Sequence, residues 1–138
     1  MMGSHAGLKS TVRRTMAAIR LAAVSLDSDD PGALAAFWRE LLGLTVMFES
    51  RDFVALEGAG ILLTTQHVPE HRSPDWPDGA TPKQLHLELA VDELDASEEL
   101  ALALGARRAE VQPAPERWRV LLDPAGHPFC ITTLIPET

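Results

Sequence analysis

The chain has 138 residues, enough for one compact domain, because domains are commonest at about 100–150 residues. Hydrophobic residues make up 46% of it and charged residues 23%, which excludes a disordered or collagen-like chain. The formal net charge of -8 repels phosphate backbones and anionic lipid headgroups, so we expect neither nucleic acid nor a membrane as a partner. The single cysteine, Cys130, cannot form an intramolecular disulfide, which favours a cytoplasmic location.

The N-terminal segment has the features of an extension rather than of a core element. Arg13-Arg14 and the apolar residues after it are similar to a twin-arginine export signal, but Arg20 interrupts the run before it reaches the roughly 7–15 apolar residues that such a signal needs. We therefore expect residues 1–17 to be an N-terminal extension or a cloning remnant, and residues 18–138 to form a single domain.

The first half of that domain predicts one helix among four strands. Residues 19–27 form a strand-like run, and Asp30-Pro31 then gives a helix N-cap followed by proline at the first helical position. The helix ends at Gly43, and three short strand candidates follow, at 44–49, 52–57 and 60–66. Apolar residues on one face of this helix are predicted to be buried: Leu34, Phe37, Trp38, Leu41 and Leu42.

The second half repeats this order after a linker rich in proline and charge, residues 67–83. A strand-like run over 84–91 precedes a helix that we expect Asp92 to cap and Gly105 to end. Its predicted buried positions are Leu94, Ala101 and Leu104, and the strand candidates that follow are 107–112, 117–122 and 128–134.

The two halves are spaced as an internal duplication. Asp30 and Asp92 are separated by 62 residues, as are Gly43 and Gly105, and each helix ends in Leu-Gly. A βαβββ module of this size cannot cover its own sheet, so two must pair. We predict an α+β fold of two tandem modules, 19–66 and 84–135, which form a curled mixed sheet around a cavity with the helices outside.

These motifs resemble those of a known superfamily. Four motifs are similar to those of the vicinal-oxygen-chelate superfamily. They are Phe37-Trp38 and Leu42-Gly43 in the first half, and His86-Leu87-Glu88-Leu89 and Asp123-Pro124-Ala125-Gly126-His127-Pro128-Phe129 in the second. That superfamily includes glyoxalase I, extradiol dioxygenases, and bleomycin- and fosfomycin-resistance proteins. The resemblance covers residues 19–135 and is closest to a glyoxalase-like branch, which implies the paired-module fold but hosts several chemistries.

The resemblance also implies where a metal would be held. Family ligands lie on the first, fourth, fifth and eighth strands, and these positions fall here on Val24 or Ala23, near Thr64, on His86 and on Cys130. Only His86 is a ligand of the family type, with Cys130 as a second donor, whereas a catalytic site commonly has three protein ligands. A divalent metal at these positions would therefore be under-liganded, and the sequence identifies no cofactor.

Strand alternation predicts the residues that face the cavity. In 84–91 the leucines share the helix side, which places His86 and Glu88 side by side on the inner face, where they are candidates for acid–base catalysis. The alternative is that Glu88 pairs with a nearby arginine or reaches solvent. The same alternation predicts inward positions in the other strands: Ser25, Asp27, Thr64, Gln66 and Cys130. Trp118, whose face is ambiguous, is a further pocket candidate.

One further motif is discounted. His67-Val68-Pro69-Glu70-His71 fits the H-x-x-E-H pattern of inverted zinc proteases, which needs both histidines on one helical face. Pro69 disfavours that helix, so we expect a loop.

Three functions remain open from the sequence. In the first, the cavity binds a small organic molecule, and His86 and Glu88 catalyse isomerase or lyase chemistry on it. In the second, the cavity sequesters a drug or metabolite without reaction, as bleomycin-resistance proteins do. In the third, the cavity is filled by its own side chains and exposed sheet edges form a homodimer interface.

Overall fold

The computed structural model describes residues 18–136, and the predicted extension at 1–17 lies outside the described residues. Two helices and eight strands form within the described part of the chain. In chain order they are β1 (Ala23–Ser28), α1 (Pro31–Leu42), β2 (Thr45–Glu49), β3 (Phe53–Glu57), β4 (Leu62–His67), β5 (Leu87–Ala90), α2 (Leu94–Leu104), β6 (Arg107–Arg108), β7 (Trp118–Leu122) and β8 (Pro128–Thr132).

Both halves build the same four-stranded mixed sheet. The first module has the order β1-β4-β3-β2, in which β1 runs parallel to β4 and the other neighbours are antiparallel. The second module has the order β5-β8-β7-β6 with the same directions. The predicted α+β fold of two tandem βαβββ modules is confirmed. Within residues 18–136 the two sheets stay separate and do not close, and β1 and β5 are edge strands.

The helix of the first module starts and stops at the predicted signals. The Asp30 carboxylate accepts a hydrogen bond from the amide of Ala33, and Pro31 opens the first turn. Gly43 ends the helix with a φ of 68°, a left-handed conformation that glycine adopts at little cost. Among the predicted core positions Leu34, Phe37 and Trp38 are buried, and Leu41 and Leu42 pack against the core from partly buried positions.

The core runs through both modules. Trp38 of α1 is 1% exposed and lies against Phe129 of β8, with ring centroids 4.9 Å apart in an edge-to-face arrangement. Phe37 contacts the same ring at 6.0 Å. The first helix therefore covers apolar surface of the second module as well as its own sheet.

The helix of the second module begins later than predicted. Its N-cap is Glu93 rather than Asp92, because the Glu93 carbonyl accepts the first helical hydrogen bond, from the amide of Ser97. No side chain caps this end. The end at Gly105 is as predicted, and Ala101 is the buried residue of the helix.

The predicted strand over 107–112 is also shorter than expected. Only Arg107 and Arg108 pair with β7 in a ladder. Further along, the Gln112 side chain takes the place of backbone pairing: its amide nitrogen donates to the carbonyls of Ala109 and Val120, and its oxygen accepts from the Val120 amide. A side-chain amide thus satisfies the backbone groups that a longer strand would pair.

The linker has no helix and lies on the second module. The imidazole of His71 and the hydroxyl of Ser73 both bond to the carbonyl oxygen of Ala125, at 2.9 and 3.1 Å. The discounted zinc-protease pattern begins at His67, the last residue of β4, and continues in a loop, without the helix that this pattern requires. Among residues 18–136, neither helix is long and apolar enough to cross a bilayer.

Candidate functional site

A cavity of about 640 Å³ lies where the edge strands β1 and β5, the linker and the turn before β8 meet. That volume is within the usual range for a small-molecule site, about 300–1,000 Å³. The half-buried Leu26 and Leu87 give it apolar walls, with the buried rings of Trp38 and Phe129 behind them. Its polar and charged lining comes mainly from the linker and the strand edges: Ser25, Asp27, Glu70, His71, Arg72, Lys83, Gln84, His86, Asp123 and His127. We call this cavity the β1/β5 cleft.

Asp123 fixes the floor of the cleft. Its carboxylate is completely buried and accepts three hydrogen bonds, from the Trp38 indole at 3.1 Å and from the amides of Ala125 and His127 at 3.0 and 2.9 Å. Burial raises the pKa of the Asp123 carboxyl, and the neighbouring His127 opposes that rise. The carboxylate thus joins α1 of the first module to the turn of the second.

Two histidines stand above this floor. His127 Nε2 lies 2.7 Å from the carbonyl oxygen of Asp27, which ties the turn of the second module to β1. His71 Nε2 lies 2.9 Å from the carbonyl oxygen of Ala125. The two imidazole centroids are 5.4 Å apart.

The predicted pair of His86 and Glu88 forms a direct contact. His86 Nε2 lies 3.1 Å from Glu88 Oε2, with side-chain exposures of 32% and 51%. The predicted alternative was that Glu88 pairs with an arginine. In this module Asp95 and Glu98 make the ion pairs with arginine, and Glu88 contacts His86. His86 lines the cleft, whereas Glu88 is not among the lining residues.

The other predicted pocket residues divide into two groups. Ser25 and Asp27 line the β1/β5 cleft. Those that do not line it lie in the sheets: Thr64 is buried, Gln66 is exposed, and Cys130 and Trp118 are partly buried. Their predicted role in a pocket stays a prediction. Leu85, expected on the helix side, is 80% exposed because it precedes β5 and lies at the cleft.

Cys130 and Glu88 are direct partners in the sheet, across the parallel pairing of β5 with β8. Burial raises the pKa of the Cys130 thiol, the charge of Glu88 raises it further, and Lys83 opposes the rise. A raised pKa keeps the group as a neutral thiol, which is a weak nucleophile and a weak metal ligand.

The residues present do not fit the metal that the superfamily implies. The Thr64 hydroxyl lies 3.4 Å from the Val24 carbonyl, Cys130 favours the thiol form, and the first-strand position carries Ala23 or Val24. In the part of the chain that the structure describes, no group of three or more His, Cys, Asp or Glu side chains is placed to hold a metal ion.

Several cleft residues were missed by the sequence reasoning. Trp38 was assigned to the core alone, yet it also lines the cleft. His71 was set aside with the zinc-protease pattern, and Asp123 and His127 were treated only as parts of a family motif. Strand alternation could not find them, because all four lie on a helix, in the linker or in a turn.

Comparisons with known proteins agree with this architecture. Residues 23–132 match the model of the glyoxalase-like domain. A glyoxalase/bleomycin resistance protein/dioxygenase family enzyme from Burkholderia phytofirmans PsJN has a similar structure, with a TM-score of 0.63 and 20% identity over 85% of this chain and 100% of that one. No curated protein matches the sequence.

Two further solved structures share the fold and contain ligands. A fosfomycin resistance protein from Listeria monocytogenes, complexed with Mn(II) and dihydroxypropylphosphonic acid, has a TM-score of 0.65 and 16% identity over 84% of this chain and 93% of that one. A bleomycin-binding protein from Streptomyces verticillus, complexed with copper(II)-bleomycin, has a TM-score of 0.54 and 21% identity over 83% and 95%. Because the family model spans most of the sequence, this chain belongs to the glyoxalase-like domain family.

Proposed function

We propose that this protein binds a small, partly apolar organic molecule in the β1/β5 cleft. The observation that carries the proposal is the cleft itself: about 640 Å³ in volume, with apolar walls and converging imidazole, carboxylate and cationic groups. Structural relatives that bind copper(II)-bleomycin or a phosphonic acid support a binding role for the fold. The likeness to them shows the fold alone, so the identity of the ligand is open.

A library of small metabolites and drugs tests the proposal by thermal unfolding. A ligand at about a hundred times its Kd stabilises the folded state by about 2.7 kcal/mol, which raises the melting temperature measurably. Ser25 is exposed and lines the cleft, so Ser25→Trp should occlude it and weaken binding about tenfold or more. Thr45→Trp, at an exposed position on β2 outside the cleft, is the matched control. Equal binding by both variants would contradict the proposal.

A second candidate function is acid–base catalysis, as an isomerase or lyase, on the bound molecule. The contact of 3.1 Å between His86 Nε2 and Glu88 Oε2 favours it, because a carboxylate that orients an imidazole supports proton transfer. Once a ligand is identified, His86→Gln should abolish turnover if the protein is an enzyme. In a sequestration protein the same variant changes only the affinity, by about 1–3 kcal/mol.

A homodimer stays a prediction, as does the cytoplasmic location. The edge strand β2 exposes Val46, Met47 and Phe48, whose exposed fractions are 37%, 51% and 53%. Such a strand is available for pairing with a second chain. Sedimentation velocity of the wild type and of Phe48→Lys tests it: a dimer that becomes a monomer in the variant supports pairing through β2, and a monomeric wild type contradicts it.

A further inference from the structure

The histidines of the described chain are concentrated in the β1/β5 cleft. Three of the four in residues 18–136 line it, His71, His86 and His127, whereas His67 lies outside. His71 and His127 come from different elements, the linker and the turn before β8, yet their rings are 5.4 Å apart. Two imidazoles at that spacing can contact one ligand group together. We call His71 and His127 the histidine pair.

Hydrogen bonds set the tautomer of both rings. Nε2 of His71 lies 2.9 Å from the Ala125 carbonyl oxygen, and Nε2 of His127 lies 2.7 Å from the Asp27 carbonyl oxygen. A carbonyl oxygen only accepts, so each Nε2 must carry the hydrogen and donate it. In a neutral imidazole the other nitrogen, Nδ1, then has a lone pair. Within residues 18–136 neither Nδ1 has a hydrogen-bond partner.

The backbone around the pair holds this arrangement in place. Gly126 follows the carbonyl that His71 contacts, and a Cβ added there would lie 2.5 Å from the Cβ of Ser73. Only glycine lets the linker approach the turn so closely. The amide of His127 also donates to the buried Asp123 carboxylate at 2.9 Å. Both rings are thus attached to backbone that is fixed independently of any ligand.

We propose that the histidine pair recognises a ligand by accepting, at Nδ1 of one of its rings, the hydrogen bond of an acidic hydroxyl group, while the apolar body of the ligand lies against Leu26 and Leu87. A hydroxyl has one hydrogen to donate, which matches a single Nδ1 lone pair, and the apolar walls match an aromatic or aliphatic body. The inference rests on the proposed function, since it names the chemical class that the cleft would take.

Two probes of the same shape test it. Para-cyanophenol has a neutral acidic hydroxyl, and its methyl ether, para-methoxybenzonitrile, lacks the donor. Titrations at neutral pH are followed by NMR, with the indole N–H of Trp38 reporting occupancy of the cleft and the imidazole nitrogens reporting the histidine pair. We expect the phenol to bind about tenfold more tightly than the ether and to shift Nδ1 of at least one ring of the pair.

The variants His71→Gln and His127→Gln sharpen the test. A glutamine amide can still donate near the position of Nε2, but it has no basic nitrogen in place of Nδ1. The variant that removes the accepting ring should reduce the preference for the phenol severalfold while the ether binds as before, and an unchanged preference in both variants would overturn the inference. His67→Gln, outside the cleft, is the matched control and should keep the full preference.

The possible results separate this inference from the proposed function. If both probes shift the Trp38 indole with equal affinity, the cleft binds small molecules but the histidine pair does not select a hydroxyl, and the inference is overturned alone. If neither probe shifts that signal, the inference is overturned and the proposed function loses support. Long-range ¹H–¹⁵N spectra of the unliganded wild type add a test without variants, since a hydrogen on Nδ1 of either ring would also overturn it.

Discussion

The two modules share one topology but are stabilised by different interactions. At equivalent positions of the two helices, 62 residues apart, Trp38 of α1 is 1% exposed and Leu100 of α2 is 51% exposed. The first helix buries Phe37 and Trp38 against Phe129 of the second module. The second helix buries Ala101 and packs Leu94 and Leu104 against the core from partly buried positions. It adds ion pairs, since the Glu98 carboxylate lies 2.6 Å from Arg108 and 3.2 Å from Arg119.

This difference shows that duplicated topology does not require duplicated packing. One bulky helix is enough to form a core that both modules share, and the other can then remain amphipathic with small buried residues. The turns differ in the same way: Asp123 is completely buried, whereas Glu57, at the matching turn of the first module, is exposed. The β1/β5 cleft lies on the side where Trp38 and Asp123 join the modules.

The largest effect should come from the helix that joins the modules. Trp38→Ala removes the contact with Phe129 and the indole donor to the buried Asp123 carboxylate, so it should lower the free energy of unfolding by about 3–5 kcal/mol. Leu100→Ala, at the equivalent exposed position of α2, should cost about 0.5 kcal/mol or less. Denaturant unfolding measures both, and similar costs would contradict the asymmetry.

A pH dependence should distinguish the two turns. Burial raises the folded-state pKa of Asp123 above its ordinary value of 3.8, so the folded state binds that proton more tightly than the unfolded state does. The contribution of Asp123 to stability is therefore larger at low pH and falls as pH rises from that ordinary value through the raised pKa.

The test compares wild type with Asp123→Asn by denaturant unfolding, from neutral pH down to about pH 4. The stability of the wild type relative to the variant should increase as pH falls. Glu57→Gln, at the exposed turn, is the matched control. If the free energy of unfolding of the wild type and of Asp123→Asn changed with pH in the same way, the prediction would be contradicted.

A smaller effect is expected from the ion pairs of α2. Glu98→Gln should cost about 0.5–1 kcal/mol, because its largely covered carboxylate contacts both Arg108 and Arg119. The loss should diminish at high salt. Glu40→Gln on α1 breaks only an exposed contact with Arg39 and should have almost no effect. A salt-independent loss at Glu98 would indicate packing rather than charge.

The smallest effect concerns Glu88 and Cys130, which occupy paired strand positions where the first module has the uncharged Ser25 and Thr64. Since the charge of Glu88 contributes to the raised pKa of the Cys130 thiol, Glu88→Gln should lower that pKa. Alkylation by iodoacetamide should then begin at slightly lower pH. An unchanged pH profile would show that burial alone raises the pKa.

The fold was predictable from local signals that the structure keeps. The N-cap Asp30 and the helix-ending glycines at 43 and 105 act on the backbone within a few residues, and they located both helices. The predicted ends of strands were less accurate where a side chain replaces backbone pairing. The Gln112 side chain does so by bonding the backbone groups that a longer β6 would pair.

The candidate site was only partly predictable, because the cleft is formed by segments distant in sequence. Alternation along a strand identified Ser25, Asp27 and His86, which line the cleft. It could not indicate that His71 in the linker would lie beside His127, since that contact depends on how the linker crosses the turn.

The most direct test of the account is a crystal structure with a ligand from the metabolite and drug library bound. We predict that the ligand lies in the β1/β5 cleft, against Leu26 and Leu87 and within hydrogen-bond distance of the histidine pair. A ligand bound instead on the open face of the second sheet, over Glu88 and Cys130, would contradict the central claim.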